Sequence, residues 1–579
     1  MTYSTSTIGL LAFLAISTCG SAGPLRRSHP TVVLGDSNNV RFEGTSANNV
    51  ESFMNIRFAE DTSGNNRFAA PKPFSYPSGS VVNASLPGAA CPQQKVPIPG
   101  LEVFDNVTRI SEDCLTLRVD RPARKSNQDK LPVMAFIYGG GDSIGQIYDT
   151  AYDPTSLING AGQNGYPVIY VAMNYRVGIF GFAATQALNE SRSLNAGLRD
   201  QRLALEWVQE HIAAFGGDPD NVTIFGESDG ATGVGLQITA YGGKEKAPFR
   251  RAIMQSGSAS ADQGTATNKT IIRTTEFIKK VNCSSSVGID ELACLRKIPL
   301  KKLLPAALEY EFSFEGSMSF DIFVPTAPSD FIPDSPSKLL SSGRFAHDID
   351  VITGWTEDDQ SFFTPSSIKT ESDVIEYLSS SIPDLSKENM QRALALYPPS
   401  SFSDMPSENI SAQYFRASQM SRDYEFTCPS IHLVQMNKKY SKSCTSNYLY
   451  ILNQTMFTPL YKQQQTSYLG VSHFSDIPYV FNQAKTRYSF LATPLDVEIS
   501  SKMSASWASF AVSGDPSHRN GTLPGWSDAL THSSPSVRII GGPNGGEMFT
   551  IDGSGDTSEH LAKRCAFWSS PDVLAQIGV

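Results

Sequence analysis

The chain has 579 residues, 40% of them hydrophobic and 18% charged, which is the composition of a soluble globular protein with a large core. That length suits several domains or one large α/β domain. A net charge of -10 leaves no basic stripe to neutralise phosphates, so the balance argues against a nucleic-acid partner.

Residues 8–17 (IGLLAFLAIS) form an apolar run followed by the small residues Gly20-Ser21-Ala22. This is the pattern of a secretory signal cleaved near Ala22, although no Lys or Arg precedes the run. The run is too short to span a bilayer, and no later stretch is long and apolar enough to do so. Arg26-Arg27 reads either as a dibasic processing site or as two exposed arginines. Residues 1–22 are therefore assigned to the signal and 23–579 to a single domain. Secretion agrees with N-x-S/T acceptors at Asn83, Asn106, Asn189, Asn221, Asn268, Asn282, Asn409, Asn453 and Asn520. Asn221 is the doubtful one, because it abuts the strand at 222–225.

Residues 31–87 mix short β-like runs with Gly, Asn and Pro, as in an irregular N-terminal sheet. Cys91 and Cys114 follow and most simply close a disulfide loop. Residues 133–138 (VMAFIY) read as a buried parallel strand ending in Gly139-Gly140-Gly141. A glycine triplet there lets backbone N–H groups approach a ligand; a flexible turn is the plainer alternative. Residues 168–172 (VIYVA) are a second strand. In 195–215, Leu198, Leu205, Val208 and Ile212 recur at helical spacing, which predicts a helix covering the sheet. Gly216-Gly217-Asp218-Pro219 ends it. Residues 222–225 (VTIF), 252–255 (AIMQ), 350–354 (DVITG) and 447–452 (NYLYIL) continue the strand series, and 372–381 and 386–397 read as amphipathic helices. Strand and helix in alternation predict an α/β fold with a mostly parallel, doubly wound sheet and helices on both faces.

The strand at 222–225 runs into Gly226-Glu227-Ser228-Asp229-Gly230 and then a small-residue segment that can open a helix. Strand, tight turn and helix are the setting of a nucleophile elbow, in which Ser228 projects from a strained corner. Alone the pattern is weak, since about 0.2 GxSxG matches arise by chance in a chain this long.

Several further motifs stand in register with it: SEDCL at 111–115, YGGG at 138–141, NYRVGIFGF at 174–182, NAGLRDQRLALEWVQ at 195–209, FGGDP at 215–219, GWTEDDQSFF at 354–363 and GVSHFSDIPYVF at 470–481. Together they resemble the type-B carboxylesterase family, which includes cholinesterases and related secreted fungal lipases. The resemblance spans nearly the whole mature chain. It implies an α/β-hydrolase fold, no cofactor or metal, a small-molecule ester as substrate, and a catalytic order of serine, acid, histidine.

By that register the acid is Asp359, with Glu357 and Asp358 as rivals. The family usually has Glu at this position, and Gly where this chain has Gln360. The histidine is His473. The oxyanion hole comprises the N–H groups of Gly140, Gly141 and Asp229. Asp229 departs from the family, in which Ala commonly follows the nucleophile; its carboxylate would repel an oxyanion that it faced. The resemblance also implies the disulfides Cys91–Cys114, Cys283–Cys294 and Cys428–Cys565, with Cys444 left unpaired and Cys428–Cys444 as the competing pair.

The resulting expectation is a secreted serine carboxylic ester hydrolase working through an acyl-Ser intermediate. A triacylglycerol lipase or sterol esterase is the alternative of the same class, and a catalytically inert cholinesterase-like binding module, of the kind the family also includes, is the alternative of another class. The Cys91–Cys114 loop is short and Pro-rich and lacks a helical apolar face, which points to an open esterase. Phe104 stands where cholinesterases carry a cation-binding Trp, which disfavours choline esters.

Overall fold

The structure, a computed structural model, describes residues 29–577 except 36–38, 96–103, 124–127, 261, 263–264, 266–267, 285–287, 315–319, 444, 519–520 and 554–559. The expected signal segment, Arg26-Arg27, Cys444, Asn520 and the middle of the Cys91–Cys114 loop lie outside the described residues.

Eleven strands form one sheet: β1 (Thr45–Ala47), β2 (Val50–Arg57), β3 (Thr116–Pro122), β4 (Leu131–Ile137), β5 (Ile169–Met173), β6 (Gly217–Glu227), β7 (Arg251–Gln255), β8 (Asp350–Thr356), β9 (Asn447–Leu452), β10 (Ser536–Ile540) and β11 (Met548–Thr550). Their spatial order is β11-β10-β9-β8-β7-β6-β4-β5-β3-β2-β1. The six pairings from β5 through β4 and β6 to β10 are all parallel, and the strands at either edge are antiparallel. Strands β5, β7, β9 and β10 are buried at every residue, as continuous apolar runs covered on both faces should be. Residues 31–83 add a separate three-stranded sheet, so the irregular N-terminal β region is present as expected. This is the α/β-hydrolase arrangement that the sequence implied.

Helices pack against this sheet, and four of them position the site. Helix α1 (Ala196–His211) buries Leu198, Leu205 and Val208, three members of the predicted stripe. The fourth, Ile212, is buried one turn later, where the chain tightens into a 3-10 turn closed by Gly216 in the left-handed region. The strand that follows starts at Gly217, earlier than the apolar run suggested, because Gly217 pairs with Leu131 of β4 and an irregularity in the register carries the chain on to Val222. Helix α2 (Asp229–Thr239) leaves the elbow. Helix α3 (Cys428–Tyr440) and helix α4 (Leu561–Trp568) are joined by the Cys428–Cys565 disulfide. Among the described residues, no helix is long and apolar enough to cross a membrane.

Cys91–Cys114 and Cys283–Cys294 are the other two disulfides among the described residues, and Cys428 is paired with Cys565 as the resemblance implied. Of the acceptor asparagines, Asn83, Asn106, Asn189, Asn268, Asn282 and Asn409 are exposed, and Asn221 and Asn453 are half-buried.

Candidate active site

Strand β6 ends at Glu227, and Ser228 turns the chain into α2 at φ 59°, ψ -132°, a conformation that a side-chain-bearing residue adopts only when its surroundings impose it. Two constraints impose it here. The Ser228 N–H donates to the Gln255 carbonyl of β7 at 2.9 Å, and the Ala231 N–H donates back to the Ser228 carbonyl at 2.8 Å. The turn is so tight that a Cβ on Gly230 would lie 2.1 Å from the Ile137 carbonyl oxygen, which explains the glycine at the end of the motif. Gly139 passes equally close, since a Cβ there would come within 2.7 Å of the Ser228 Cβ.

Asp359 and His473 arrive from two loops at the ends of parallel strands. Asp359 follows β8, is wholly buried, and accepts the Thr356 N–H at 2.9 Å through Oδ2. Its Oδ1 lies 2.6 Å from His473 Nδ1. The rival Asp358 is used otherwise: its carboxylate accepts the Val471 N–H at 2.8 Å and its own N–H donates to the Val471 carbonyl, which clamps the histidine loop. Glu357 precedes both, and its carbonyl accepts from Arg422 Nη1 at 2.8 Å. The loop is held from behind as well. Asp476 accepts Gln255 Nε2 at 2.8 Å, and Trp507 Nε1 donates to Gln255 Oε1 at 3.0 Å.

On its open side the imidazole meets a residue the sequence reading did not single out. Glu227 Oε1 is 3.2 Å from His473 Nε2, yet the alignment is poor and neither atom makes a hydrogen bond. The signal was available, since Glu227 is the x of GxSxG and shares the turn with Ser228. Burial opposes an imidazolium, but the carboxylates of Glu227 and Asp359 outweigh it and push His473 up to about 10. Phe363 meets the imidazole edge-on at 5.2 Å and Phe426 stacks on it at 5.3 Å, walls that exclude water from one side of the ring.

Of the three expected oxyanion donors, two already face the Asp229 carboxylate. The Gly141 N–H donates to Asp229 Oδ2 at 2.5 Å, and the charged carboxylate is supported by the N–H of Asp229 itself. The Gly140 N–H makes no hydrogen bond among the described residues. The Asp229 side chain thus turns into the hole rather than away from it. Burial and the Asp321 carboxylate raise it to about 7, against the lowering effect of the Gly141 N–H. Asp321 itself donates its backbone N–H to the Gly141 carbonyl at 3.0 Å, and the neighbouring Phe320 ring covers Gly141.

A sequence profile described as the carboxylesterase family matches residues 30–568. The chain belongs to the carboxylesterase family. It is 39% identical to an inactive carboxylesterase-like protein of Byssochlamys spectabilis over 543 residues, which cover 90% of this chain and 91% of that one. It is 37% identical to a secreted lipase of Arthroderma benhamiae, covering 93% of this chain and 94% of the lipase. It is 31% identical to the acetylcholinesterase of Bungarus fasciatus, covering 82% and 77% respectively. Carboxylesterase relatives therefore include proteins named as lipases and one named as inactive, so membership alone does not decide whether Ser228 turns over.

Proposed function

We propose that this carboxylesterase-family protein is a secreted serine ester hydrolase. The observation that supports the reading best is the strained Ser228 corner together with an imidazole held on Asp359 at 2.6 Å. Strain at one residue and a buried acid–histidine pair both carry a folding cost, and a purely structural turn has no use for either.

In the proposed mechanism His473 takes the proton of Ser228, whose oxygen adds to the ester carbonyl. The tetrahedral oxyanion is received by the N–H groups of Gly140, Gly141 and Asp229. The alcohol leaves with the proton from His473, and water repeats the sequence to release the acid. Asp359 keeps the imidazole in the productive tautomer and stabilises its charged form. No metal or cofactor takes part. The aromatic rings of Phe363 and Phe426 suit an apolar acyl or alcohol group, and Phe104, packed on Phe474 at 4.7 Å, takes the place of a cation-binding indole.

One observation favours a second reading. With Asp229 on the Gly141 N–H, an oxyanion donor is occupied, and losing a single such donor typically costs about 3 kcal/mol of transition-state stabilisation. A binding module that kept the fold but not the activity would tolerate that arrangement. The decisive experiment is hydrolysis of p-nitrophenyl esters from acetate to palmitate by the secreted protein, beside Ser228→Ala. Turnover that disappears in the variant, with fluorophosphonate labelling of the wild type alone, upholds the hydrolase. A short-chain optimum makes it an esterase and a long-chain optimum a lipase. Absence of both turnover and labelling leaves the binding module.

A further inference from the structure

Asp229 is the residue whose placement the hydrolase mechanism does not explain. Its carboxylate oxygen accepts the Gly141 N–H at 2.5 Å, so it occupies the donor that the oxyanion of a tetrahedral intermediate would use. A carboxylate and an oxyanion both carry negative charge on oxygen, so the side chain is an internal imitation of the group that this donor is meant to receive. The two cannot share the N–H. If Asp229 stays ionised beside the hole after giving up the donor, its charge still opposes the negative charge that builds up on the substrate.

We propose that Asp229 governs turnover at Ser228: as a carboxylate it fills the oxyanion hole and blocks reaction, and only as the neutral acid does it release the Gly141 N–H to the substrate. This rests on the hydrolase reading above and adds to it the protonation state in which that hydrolase works. The geometry alone sets the conflict; the surroundings set where it resolves. Facing Asp229 are the carboxylates of Asp142 on the glycine turn, Glu227 at the end of β6 and Asp321 beside Phe320, the phenol of Tyr175, and the imidazole of His473. The cations Lys269 and Arg273 act on Asp321, as does the carboxyl of Glu425. His473 is thus the main cation acting on Asp229 itself, set against three carboxylates, and burial adds to the penalty on its charge. Together these lift Asp229 to about 7, so its neutral form dominates below that pH and its carboxylate above it.

The direction of the effect follows. His473 must be neutral to act as base and Asp229 must be protonated to clear the hole, so the two requirements oppose one another along the pH axis. Dividing the activity of Asp229→Ala by that of the wild type leaves the gate together with the rise in His473 pKa that an ionised Asp229 causes. That second effect levels off once Asp229 is fully ionised, whereas the gate keeps growing with pH. The ratio is constant below about pH 6, whatever its level, and grows about tenfold for each pH unit above 7 without levelling off, the slope of a single titration.

The experiment measures kcat/KM for p-nitrophenyl butyrate from pH 5 to 9 for wild type, Asp229→Ala and the nearly isosteric Asp229→Asn, with Ser228→Ala as blank. Thermal unfolding and fluorophosphonate labelling are recorded for each. A ratio rising with pH without levelling off for Asp229→Ala, and the same loss of alkaline inhibition in Asp229→Asn, supports the gate. A ratio that is constant across the range or levels off, with all activity still dependent on Ser228, overturns the gate and leaves the hydrolase standing. Folded variants that neither turn over nor label at any pH overturn both together.

Discussion

Burial ordinarily strips a histidine of its proton, and His473 shows the opposite because of what surrounds it. Asp359 holds Nδ1 at 2.6 Å, and Glu227 stands 3.2 Å from Nε2, the atom that accepts the serine proton in the proposed mechanism. The second contact works against a general base, because it favours the imidazolium at the nitrogen that should be empty. Burial raises Glu227 well above the usual carboxylate range and the His473 imidazolium opposes that rise. Where the pair is charged, replacing Glu227 by Gln removes the carboxylate and lowers the His473 pKa. The acidic limb of the pH–rate profile then moves down by about 1–3 units, the usual effect of deleting an opposite charge at this range. A limb that stays put in a folded Glu227→Gln protein would mean that Glu227 is neutral and does not hold the imidazolium. Ser228, Asp359 and His473 were all open to a sequence reading because each sits in a long motif. The grip of Asp229 on Gly141 was not, since it depends on a side-chain rotamer and on a donor 88 residues away in sequence.

At the scale of elements, the periodic and apolar segments were the legible ones. Strands β4, β5, β7, β8 and β9 all matched apolar runs to within two residues at each end. Strand β3 escaped because TLRVDRP carries two arginines and an aspartate, which signal a surface loop. Inside the sheet these charges are paired: Arg118 meets Asp120 at 2.7 Å, and Arg121 meets Glu51 at 2.9 Å. The segment between β8 and β9 holds the other hidden device. Residues Asp423–Thr427 form a wide π-type turn that carries Phe426 onto His473 and places Glu425 against Gln360. Asp423 is fixed there by Arg422 at 2.9 Å and by Arg564 of α4 at 3.4 Å, and the Cys428–Cys565 bond ties α4 to the helix that follows the turn. A disulfide closing so long a loop contributes about 2–5 kcal/mol. Cys428→Ala with Cys565→Ala is therefore expected to lower the unfolding free energy by that amount, read as the fall in urea midpoint multiplied by the m-value, and to raise KM, as Phe426 loosens. Loss of stability with an unchanged KM would confine the bond to scaffolding.

For the whole molecule, secretion is an expectation carried by the sequence rather than by the fold. The secretory signal expected over residues 1–22 predicts that the protein made in a eukaryotic secreting host starts at Gly23, and N-terminal sequencing of the purified protein tests it. Three disulfides and the sugar acceptors make a coherent pattern with that route, since both modifications are installed on the way out of the cell. Burial then divides the acceptors. Asn83, Asn106, Asn189, Asn268, Asn282 and Asn409 are exposed and open to a glycosyl donor. Asn221 is half-buried and its side-chain oxygen accepts from Arg251 Nη1, at the base of the strand that carries Ser228. A glycan there would break that contact. Peptide mass mapping after endoglycosidase digestion is expected to find sugar at several of the six exposed sites and none at Asn221. Full occupancy of Asn221 would show that β6 begins in a different environment from the one described. Unmodified protein starting at Met1 would remove the argument for secretion altogether.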